Sequence, residues 1–315
     1  MKFEYIGCIL LVGVLSLHGG VATAQVVFTA GDEFENGSFV GSLNEFEIDG
    51  MLVERTPSPT DSFFSLATDG SRILAGSGLS LVEFDLFGNR LGVFANVPEG
   101  GPNSMTALLE TDEAGSVYVS FAGFQSAPRT SFRLNSSGII TQTFSNPGLV
   151  FPVGIDADAD GTTWILNGAA VGVGNRLFAF SPNGVLQNEF ALPEVDNATS
   201  IAISETLEEL YISDFAGDAL HVYDISSGSP IFSQSIATPT RPTGIFIEPN
   251  TDRIFGTSFF EGGFEVDRNG NLLNEYVFGG QPGSTSDIVA FVPEPGSGTL
   301  MVIGGLAALA SRRRR

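Results

Sequence analysis

Cysteine, lysine and histidine are almost absent from this sequence of 315 residues. Cys8 is the only cysteine and Lys2 the only lysine, and both lie near the N-terminus. The rest of the chain therefore has no disulfide, no thiol nucleophile and no thiolate metal site. The two histidines are His18 and His221, and no G-x-S-x-G pattern accompanies them, so a serine–histidine relay is not indicated. We expect His221 to be a solvated residue on an outer strand.

Positive charge is scarce as well. Between Gln25 and Val292 the sequence has nine arginines and 34 acidic residues, which gives a net charge of −25. A surface of this charge repels nucleic acid and anionic lipid headgroups. We therefore expect no nucleic-acid partner.

The first 25 residues have the composition of a secretory leader. Lys2 precedes an apolar run from Ile6 to Leu17, and Ala22-Thr23-Ala24 follows before Gln25. This pattern predicts a Sec-type signal peptide that passes through the secretion translocon and is cleaved between Ala24 and Gln25. An N-terminal membrane anchor is the alternative, but the apolar run is short for a bilayer of about 30 Å.

A repeated strand pair fills the middle of the chain. Each copy has an aromatic-rich strand of alternating apolar and polar residues, a glycine turn and a second strand, which is the pattern of a β-hairpin. The copies begin at Leu43, Leu81, Ser131, Leu177, Leu220 and Gly263, and their turn glycines are Gly50, Gly88, Gly138, Gly184, Gly228 and Gly270. The mean spacing of these glycines is 44 residues.

A second, more apolar hairpin lies between successive copies, with first residues Phe64, Met105, Val153, Thr199 and Thr243. Two hairpins in about 44 residues match one four-stranded blade of a β-propeller. Five blades are then complete, and the sixth combines Ser286–Phe291 with three strands from Gly37–Thr56. We therefore predict an all-β, six-bladed propeller over residues 25–291, closed by pairing of its N- and C-terminal strands. A pair of β-sandwiches is the alternative, but the regular spacing favours the propeller.

Two blades also resemble a known repeat. The segment ELYISDFAGDALHVYD (Glu209–Asp224) resembles the repeat of NHL-type propellers, and PVGIDADADGTTWILN (Pro152–Asn167) resembles the strand pair that precedes such repeats. This resemblance supports the fold and implies no particular activity, because propellers serve as enzymes, scaffolds and binding modules.

Three aspartates are candidate calcium ligands. Asp156, Asp158 and Asp160 have the spacing of the first ligands of a calcium loop, and Gly161 follows them. However, Asn167 stands where the EF-hand pattern requires glutamate. A hairpin turn at Asp160-Gly161 explains the same residues without a metal ion.

A second candidate metal site lies at one mouth of the predicted channel, where second strands end and inner strands begin. The oxygen-bearing residues expected there are Asn103, Asn167, Asp214 and Asp287. Six-bladed lactonases of the regucalcin and gluconolactonase type place the ligands of one divalent metal in this general position, so the resemblance implies a lactonase-like hydrolase. The equivalent residues Ser77, Ser120 and Ser258 are poor ligands, which favours a polar channel without a cofactor.

The last 24 residues, VPEPGSGTLMVIGGLAALASRRRR, differ from the repeats. Pro293-Glu294-Pro295 is rigid and extended. Residues 296–311 are uncharged and would span about 24 Å as a helix, which just crosses a thin bilayer. The segment ends with Arg312, Arg313, Arg314 and Arg315. By the positive-inside rule these arginines stay cytoplasmic and the propeller lies outside.

The order of these three parts resembles the PEP-CTERM sorting signal of bacterial exported proteins. The resemblance implies a short transmembrane helix, recognition by an exosortase and cleavage near Pro293–Pro295. A plain C-terminal membrane anchor is the alternative, but it leaves the Pro-Glu-Pro unexplained.

These patterns divide the chain into a signal peptide (1–24), a propeller (25–291) and a sorting signal (292–315). We expect a membrane-anchored precursor that becomes a cell-surface or extracellular-matrix protein. The predicted role is a non-enzymatic binding or structural module, with exopolysaccharide or a surface protein as the partner. A metal-dependent, lactonase-like hydrolase is the alternative.

Overall fold

The structure is a computed structural model that describes residues 26–35, 38–47, 52–58, 63, 65–98, 105–112, 114–122, 129–168, 174–249, 251–258, 262–276 and 283–291. The predicted leader with its cleavage point at Ala24 and Gln25, the candidate ligand Asn103 and the predicted tail lie outside these ranges. Within them, no helix is long and apolar enough to cross a membrane.

The regular elements of the described residues are β-strands. They are β1 (Val26–Glu35), β2 (Ser38–Glu47), β3 (Leu52–Ser58), β4 (Ser65–Thr68), β5 (Ile73–Ser77), β6 (Ser80–Phe84), β7 (Arg90–Asn96), β8 (Met105–Thr111), β9 (Val117–Ala122), β10 (Thr130–Leu134), β11 (Ile140–Ser145), β12 (Pro152–Ala157), β13 (Thr163–Asn167), β14 (Arg176–Phe180), β15 (Leu186–Ala191), β16 (Ala198–Ser204), β17 (Glu209–Asp214), β18 (Ala219–Asp224), β19 (Ile231–Ala237), β20 (Pro242–Ile247), β21 (Ile254–Ser258), β22 (Gly262–Val266), β23 (Leu272–Tyr276) and β24 (Gly283–Phe291).

These strands form six four-stranded sheets, which are the blades of a propeller. Five blades use consecutive strands: β4–β7, β8–β11, β12–β15, β16–β19 and β20–β23. The sixth, the closing blade, has the order β24-β1-β2-β3. The first strand of each blade contacts the first strands of its two neighbours, so β4, β8, β12, β16, β20 and β24 surround a central channel. The predicted six-bladed, all-β propeller is therefore confirmed.

The closing blade joins the two ends of the propeller. β1 pairs with β24 in antiparallel register, with Val27 opposite Ala290 and Phe28 opposite Val289. Closure by terminal strands was predicted, but the assignment of Gly37–Ser42 to a separate strand was wrong. The structure continues β2 from Ser38 to Glu47 and places Val26–Glu35 next to β24. The Asn36-Gly37 dipeptide between β1 and β2 is a typical hairpin signal.

Apolar side chains on both faces of the inner and second strands hold adjacent blades together. In β13, Trp164 and Leu166 belong to a buried cluster with Leu210 of the β16–β19 blade. Ile165, which lies between them in sequence, belongs to another cluster with Tyr118 of the β8–β11 blade. Because successive residues of a strand point to opposite faces, one continuous apolar run packs against two neighbouring blades.

The predicted glycine turns are present wherever the structure describes them. Gly88, Gly138, Gly184, Gly228 and Gly270 all have φ between 72° and 81°. Gly138 also packs closely against the preceding blade, because an added Cβ would lie 2.9 Å from the Phe94 carbonyl oxygen. This position therefore needs glycine both for the turn and for the contact between blades.

Candidate functional site: an acidic cavity at the end of the channel

A cavity of about 510 Å³ lies at the end of the channel where the inner strands finish. Thr68, Thr111 and Ala157, the last residues of β4, β8 and β12, all line it. We call it the acidic cavity, because its carboxylic side chains are Asp69, Glu110, Asp112, Asp156, Glu205 and Glu248. None of its described lining residues is lysine, arginine or histidine.

Four of these acids come from four successive blades. Glu110 lies in β8 and Asp156 in β12, while Glu205 and Glu248 directly follow β16 and β20. The other two acids are paired with nearby arginines. Asp69 lies 3.1 Å from Nε of Arg72, and Asp112 lies 3.2 Å from an Nη of Arg133.

Glu110 and Asp156 interact electrostatically in the cavity wall. Burial raises the pKa of Glu110 to about 7. Burial, followed by the negative charge of Glu110, raises the pKa of Asp156 well above its usual value. The pair therefore keeps its protons to a higher pH than ordinary carboxyl groups do. A carboxyl group that titrates near neutral pH inside a cavity is able to exchange protons with a ligand.

Asp156 also connects two blades. Its Oδ2 accepts a hydrogen bond of 2.7 Å from the backbone N–H of Ile203 in β16, and its Oδ1 accepts one of 2.6 Å from Ala157. Asp287 has the same arrangement in the closing blade: Oδ2 accepts from Leu66 of β4 at 2.9 Å, and Oδ1 from Ile288. Burial raises the pKa of Asp287 well above its usual value. Both side chains thus fasten one inner strand to the next.

The other two predicted metal ligands in the described chain end second strands, as expected, but bind backbone groups. Asn167 accepts hydrogen bonds from Val150 N–H at 3.0 Å and Phe151 N–H at 2.7 Å through Oδ1. In this way it fixes the segment that leads into β12. Asn103, the remaining candidate, lies outside the described ranges.

Asp214 has the equivalent role in the next blade. Its Oδ2 accepts from Asp196 N–H at 2.8 Å, and its Oδ1 from Asn197 and Gly217 N–H at 2.9 and 3.1 Å. Burial alone would raise the pKa of Asp214, but these N–H donors and His221 hold it below its usual value. In the part of the chain that the structure describes, no three His, Cys, Asp or Glu side chains are placed to hold a metal ion.

The three aspartates of the candidate calcium loop have separate roles. Asp156 faces the acidic cavity, whereas Asp158 accepts hydrogen bonds from Thr162 N–H at 2.9 Å and Trp164 Nε1 at 3.0 Å. Asp160 is exposed on the turn. Gly161, with a φ of 79°, donates a backbone hydrogen bond of 2.8 Å to Asp158. The segment has the hydrogen bonds of a hairpin turn.

The expectation of a solvated His221 is wrong. The residue is buried in β18, where its Nε2 lies 3.2 Å from Asp214 Oδ2 and its Nδ1 lies 3.0 Å from Ser235 Oγ. The ring of Phe232 covers it, with centroids 6.1 Å apart. Asp214, His221 and Ser235 thus form a hydrogen-bonded chain across the adjacent strands β17, β18 and β19. Because Asp214 also accepts hydrogen bonds from several backbone N–H groups, this chain stabilises the blade at the end of β17.

The sequence has a further feature that the structure does not describe. Residues 291–315 match the PEP-CTERM protein-sorting motif. The chain carries a PEP-CTERM sorting motif. Such a motif implies an exported protein whose membrane-anchored precursor is cleaved by an exosortase. The PEP-CTERM motif begins at Phe291, which is the last residue of the ring-closing strand β24.

Solved structures similar to this chain share its fold. One is a protein of unknown function from Bacteroides caccae, with a TM-score of 0.63, 14% identity and coverage of 85% of this chain and 99% of the other. Another is a chain in the nidogen/laminin complex, with a TM-score of 0.63, 12% identity and coverage of 86% of this chain and 99% of the other. A third is a candidate 6-phosphogluconolactonase from Bacteroides fragilis, with a TM-score of 0.54, 16% identity and coverage of 85% of this chain and 84% of the other. No curated protein matches the chain.

Sequence reasoning missed the acidic cavity because it searched the opposite ends of the inner strands. A usable signal was present. Glu110, Glu205 and Glu248 each stand at or just beyond the end of the apolar first strand of a repeat, as in MTALLE, TSIAISE and TGIFIE. Equivalent positions in a propeller lie around the same mouth of the channel, so the repeat pattern alone could have predicted that these acids meet.

Proposed function

We propose that this protein is an exported propeller that an exosortase processes and that acts at the cell surface or in the extracellular matrix as a binding or structural module. The observation that carries the proposal is the position of the sorting motif. It begins where β24 ends, so a cut within Pro293–Pro295 removes the apolar segment and the four arginines from the protein. All strands of the ring stay in the product.

Two further observations support a binding role. Between Gln25 and Val292 the chain has a net charge of −25, which favours neutral or basic partners over anionic ones. A similar fold also occurs in a chain of the nidogen/laminin complex, where it is part of an assembly of two proteins. An exopolysaccharide or a surface protein is the partner class that we propose.

The role of the motif is tested in a bacterium that has an exosortase. We compare the unchanged protein, a variant with Pro293→Ala, Glu294→Ala and Pro295→Ala, and the control Pro193→Ala, which changes an exposed proline between β15 and β16. We expect the unchanged protein and the control to leave the membrane fraction, while the motif variant stays in it. Equal release of all three proteins would contradict the proposal.

A metal-dependent, lactonase-like hydrolase is the second candidate. It is favoured by the carboxyl group of Glu110, whose pKa of about 7 and position beside Asp156 suit acid–base catalysis. The test is elemental analysis of the purified protein together with a lactone hydrolysis assay. A stoichiometric divalent metal that is lost, with activity, in Glu110→Gln supports this candidate, provided that the variant remains folded. Metal-free, inactive protein removes it.

A further inference from the structure

One oxygen atom of the acidic cavity is buried without a hydrogen-bond donor. Glu248, which lines the cavity, is only 2% exposed. Its Oε2 accepts a hydrogen bond from the hydroxyl group of Thr251. Its Oε1 has no hydrogen-bond partner among the described residues. Leaving a buried acceptor unpaired costs about 1–3 kcal/mol, and more if it is charged. A ligand that donates a hydrogen bond here removes this cost.

Among the described residues, no lysine, arginine or histidine forms an ion pair with Glu110, Asp156 or Glu248. Asp69 and Asp112 have arginine partners. For the other three acids the hydrogen bonds come from backbone N–H or hydroxyl groups: Thr111 N–H donates to Glu110, and the donors to Asp156 and Glu248 are those given above. These three acids come from three different blades and line one cavity whose described lining has no basic residue. The site is therefore complementary to positive charge.

The geometry favours an organic cation over a bare metal ion. In the described chain no three carboxylates are close enough together to ligate one ion. The cavity volume of about 510 Å³ instead falls in the range of sites for small organic molecules. A ligand with nitrogen donors distributed along its length is able to reach acids on separate blades.

We propose that the acidic cavity binds an organic cation, through primary ammonium or guanidinium groups that contact Glu110, Asp156 and Glu248. This inference deepens the binding role proposed above by naming a ligand class and a site. The cation comes either from a free polyamine or from an arginine or lysine side chain of another protein, and the experiment distinguishes these sources.

Proton release gives the proposal a second observable. The groups around Glu110 and Asp156 are the carboxyl groups of Asp69, Asp112, Glu205, Glu248 and Asp287, the phenol of Tyr118, and the guanidinium groups of Arg72 and Arg133, which pair with Asp69 and Asp112. Tyr118 stays neutral because burial raises its pKa. Burial favours the protonated form of Glu110, and burial together with the negative charges of Glu110 and Glu205 favours that of Asp156. A bound cation favours the ionised forms. Binding is therefore expected to be tighter at pH 8 than at pH 6 and to release protons to the buffer at pH 7.

The test is isothermal titration calorimetry of the protein as the cell exports it. The ligands are spermidine and a short arginine-rich peptide, and calcium and a neutral methyl glycoside serve as comparisons. We expect one site per chain for spermidine, for the peptide or for both, with affinity at least threefold higher at pH 8 than at pH 6. Binding of the peptide alone identifies a protein partner, and binding of spermidine identifies a free polyamine.

Three variants locate the site. Glu110→Gln with Glu248→Gln is expected to weaken binding at least tenfold. Glu275→Gln removes one carboxyl group from an exposed position on β23, as Glu248→Gln does in the cavity, and is expected to leave binding unchanged. If the double variant does not fold, Glu248→Gln alone serves, because the altered Oε1 has no described partner. Its expected loss of affinity is at least threefold.

Three results would overturn the proposal: no binding of either cation, equal weakening by Glu275→Gln, or binding of calcium or the glycoside alone. None of these results bears on export, because the cavity variants do not alter the sorting motif. Failure of the sorting experiment likewise leaves the calorimetric test intact. The two proposals are therefore tested separately.

Discussion

At the scale of single residues, buried carboxyl groups have two opposite environments in this propeller. Asp214 receives several N–H donors, which hold its pKa below the usual value against the effect of burial. Glu110, Asp156 and Asp287 receive fewer donors and have other acids nearby, so burial raises the pKa of each. The N–H donors around Asp214 stabilise its charged form, which holds the neighbouring loops in place. The surroundings of Glu110, Asp156 and Asp287 favour their protonated forms.

The structural role of Asp214 predicts a large loss of stability on its removal. Asp214→Ala leaves the N–H groups of Asp196 and Asn197 without their acceptor, and His221 without its partner. We expect the free energy of unfolding to fall by about 2–4 kcal/mol in denaturant titrations. The matched control Asp160→Ala changes an exposed aspartate on a turn and is expected to alter the free energy of unfolding by less than about 1 kcal/mol. Similar values for both variants would contradict this role.

The raised pKa of Glu110 predicts how stability depends on pH. The folded protein holds this proton up to a pH of about 7, whereas the unfolded chain releases it near its ordinary value of 4.5. The stabilising contribution is therefore complete below about pH 4.5 and is lost as the pH rises through 7. Between pH 5 and pH 8 we expect a decrease of about 2 kcal/mol in the free energy of unfolding.

The variant Glu110→Gln tests this contribution, because it removes the titrating group. Of the other groups, Asp156 changes most, because the negative charge of Glu110 helps to raise its pKa. We expect urea titrations of Glu110→Gln to show a weaker decrease in stability from pH 5 to pH 8 than the unchanged protein. An equal change in the stability of both proteins over this interval, in either direction, would show that Glu110 does not have a raised pKa.

At the scale of strands and hairpins, most of the fold was predictable from local patterns. The glycine turns and the apolar second hairpins follow simple periodic rules. In the described residues, the structure has a turn or a hairpin at each of these predicted positions. The first strand was missed because Thr29, Gly31 and Asp32 interrupt its alternation, and a bulge breaks its register with β24 at Ala30/Gly31. Conversely, the predicted strand at Gly37–Ser42 ended too early. The structure continues β2 through Gly41 to Glu47.

Pairing of β1 with β24 predicts a sharp effect of chain length. A chain that ends at residue 282 lacks β24, which exposes the edge of β1 and opens the ring. We expect it to lose cooperative thermal unfolding and to be digested rapidly by protease. A chain that ends at residue 291 keeps every strand and is expected to unfold like the exported protein. Equal behaviour of the two truncated chains would show that closure contributes little.

At the scale of the whole molecule, the sequence indicated export and sorting of the protein more clearly than the position of its candidate functional site. Export and sorting depend on linear segments, and such segments are readable without a structure. The candidate ligands Asn167 and Asp214 have suitable side chains, but only the fold shows that backbone N–H groups occupy their oxygen atoms. Similarly, successive acids separated by 43 to 49 residues meet in one cavity only because the ring brings equivalent positions together.

The strand that closes the ring ends beside the acidic cavity. Ala290, the residue before the matched segment, lines the cavity, and β24 ends beside it. The match to the sorting motif therefore begins at a residue next to one that lines the acidic cavity.

The most direct test of this account is the intact mass of the protein after export from a bacterium that has an exosortase. We predict a mass that corresponds to a chain beginning at Gln25 and ending before Gly296, with the complete ring and without the apolar segment. A mass that retains Arg312, Arg313, Arg314 and Arg315 would contradict the account.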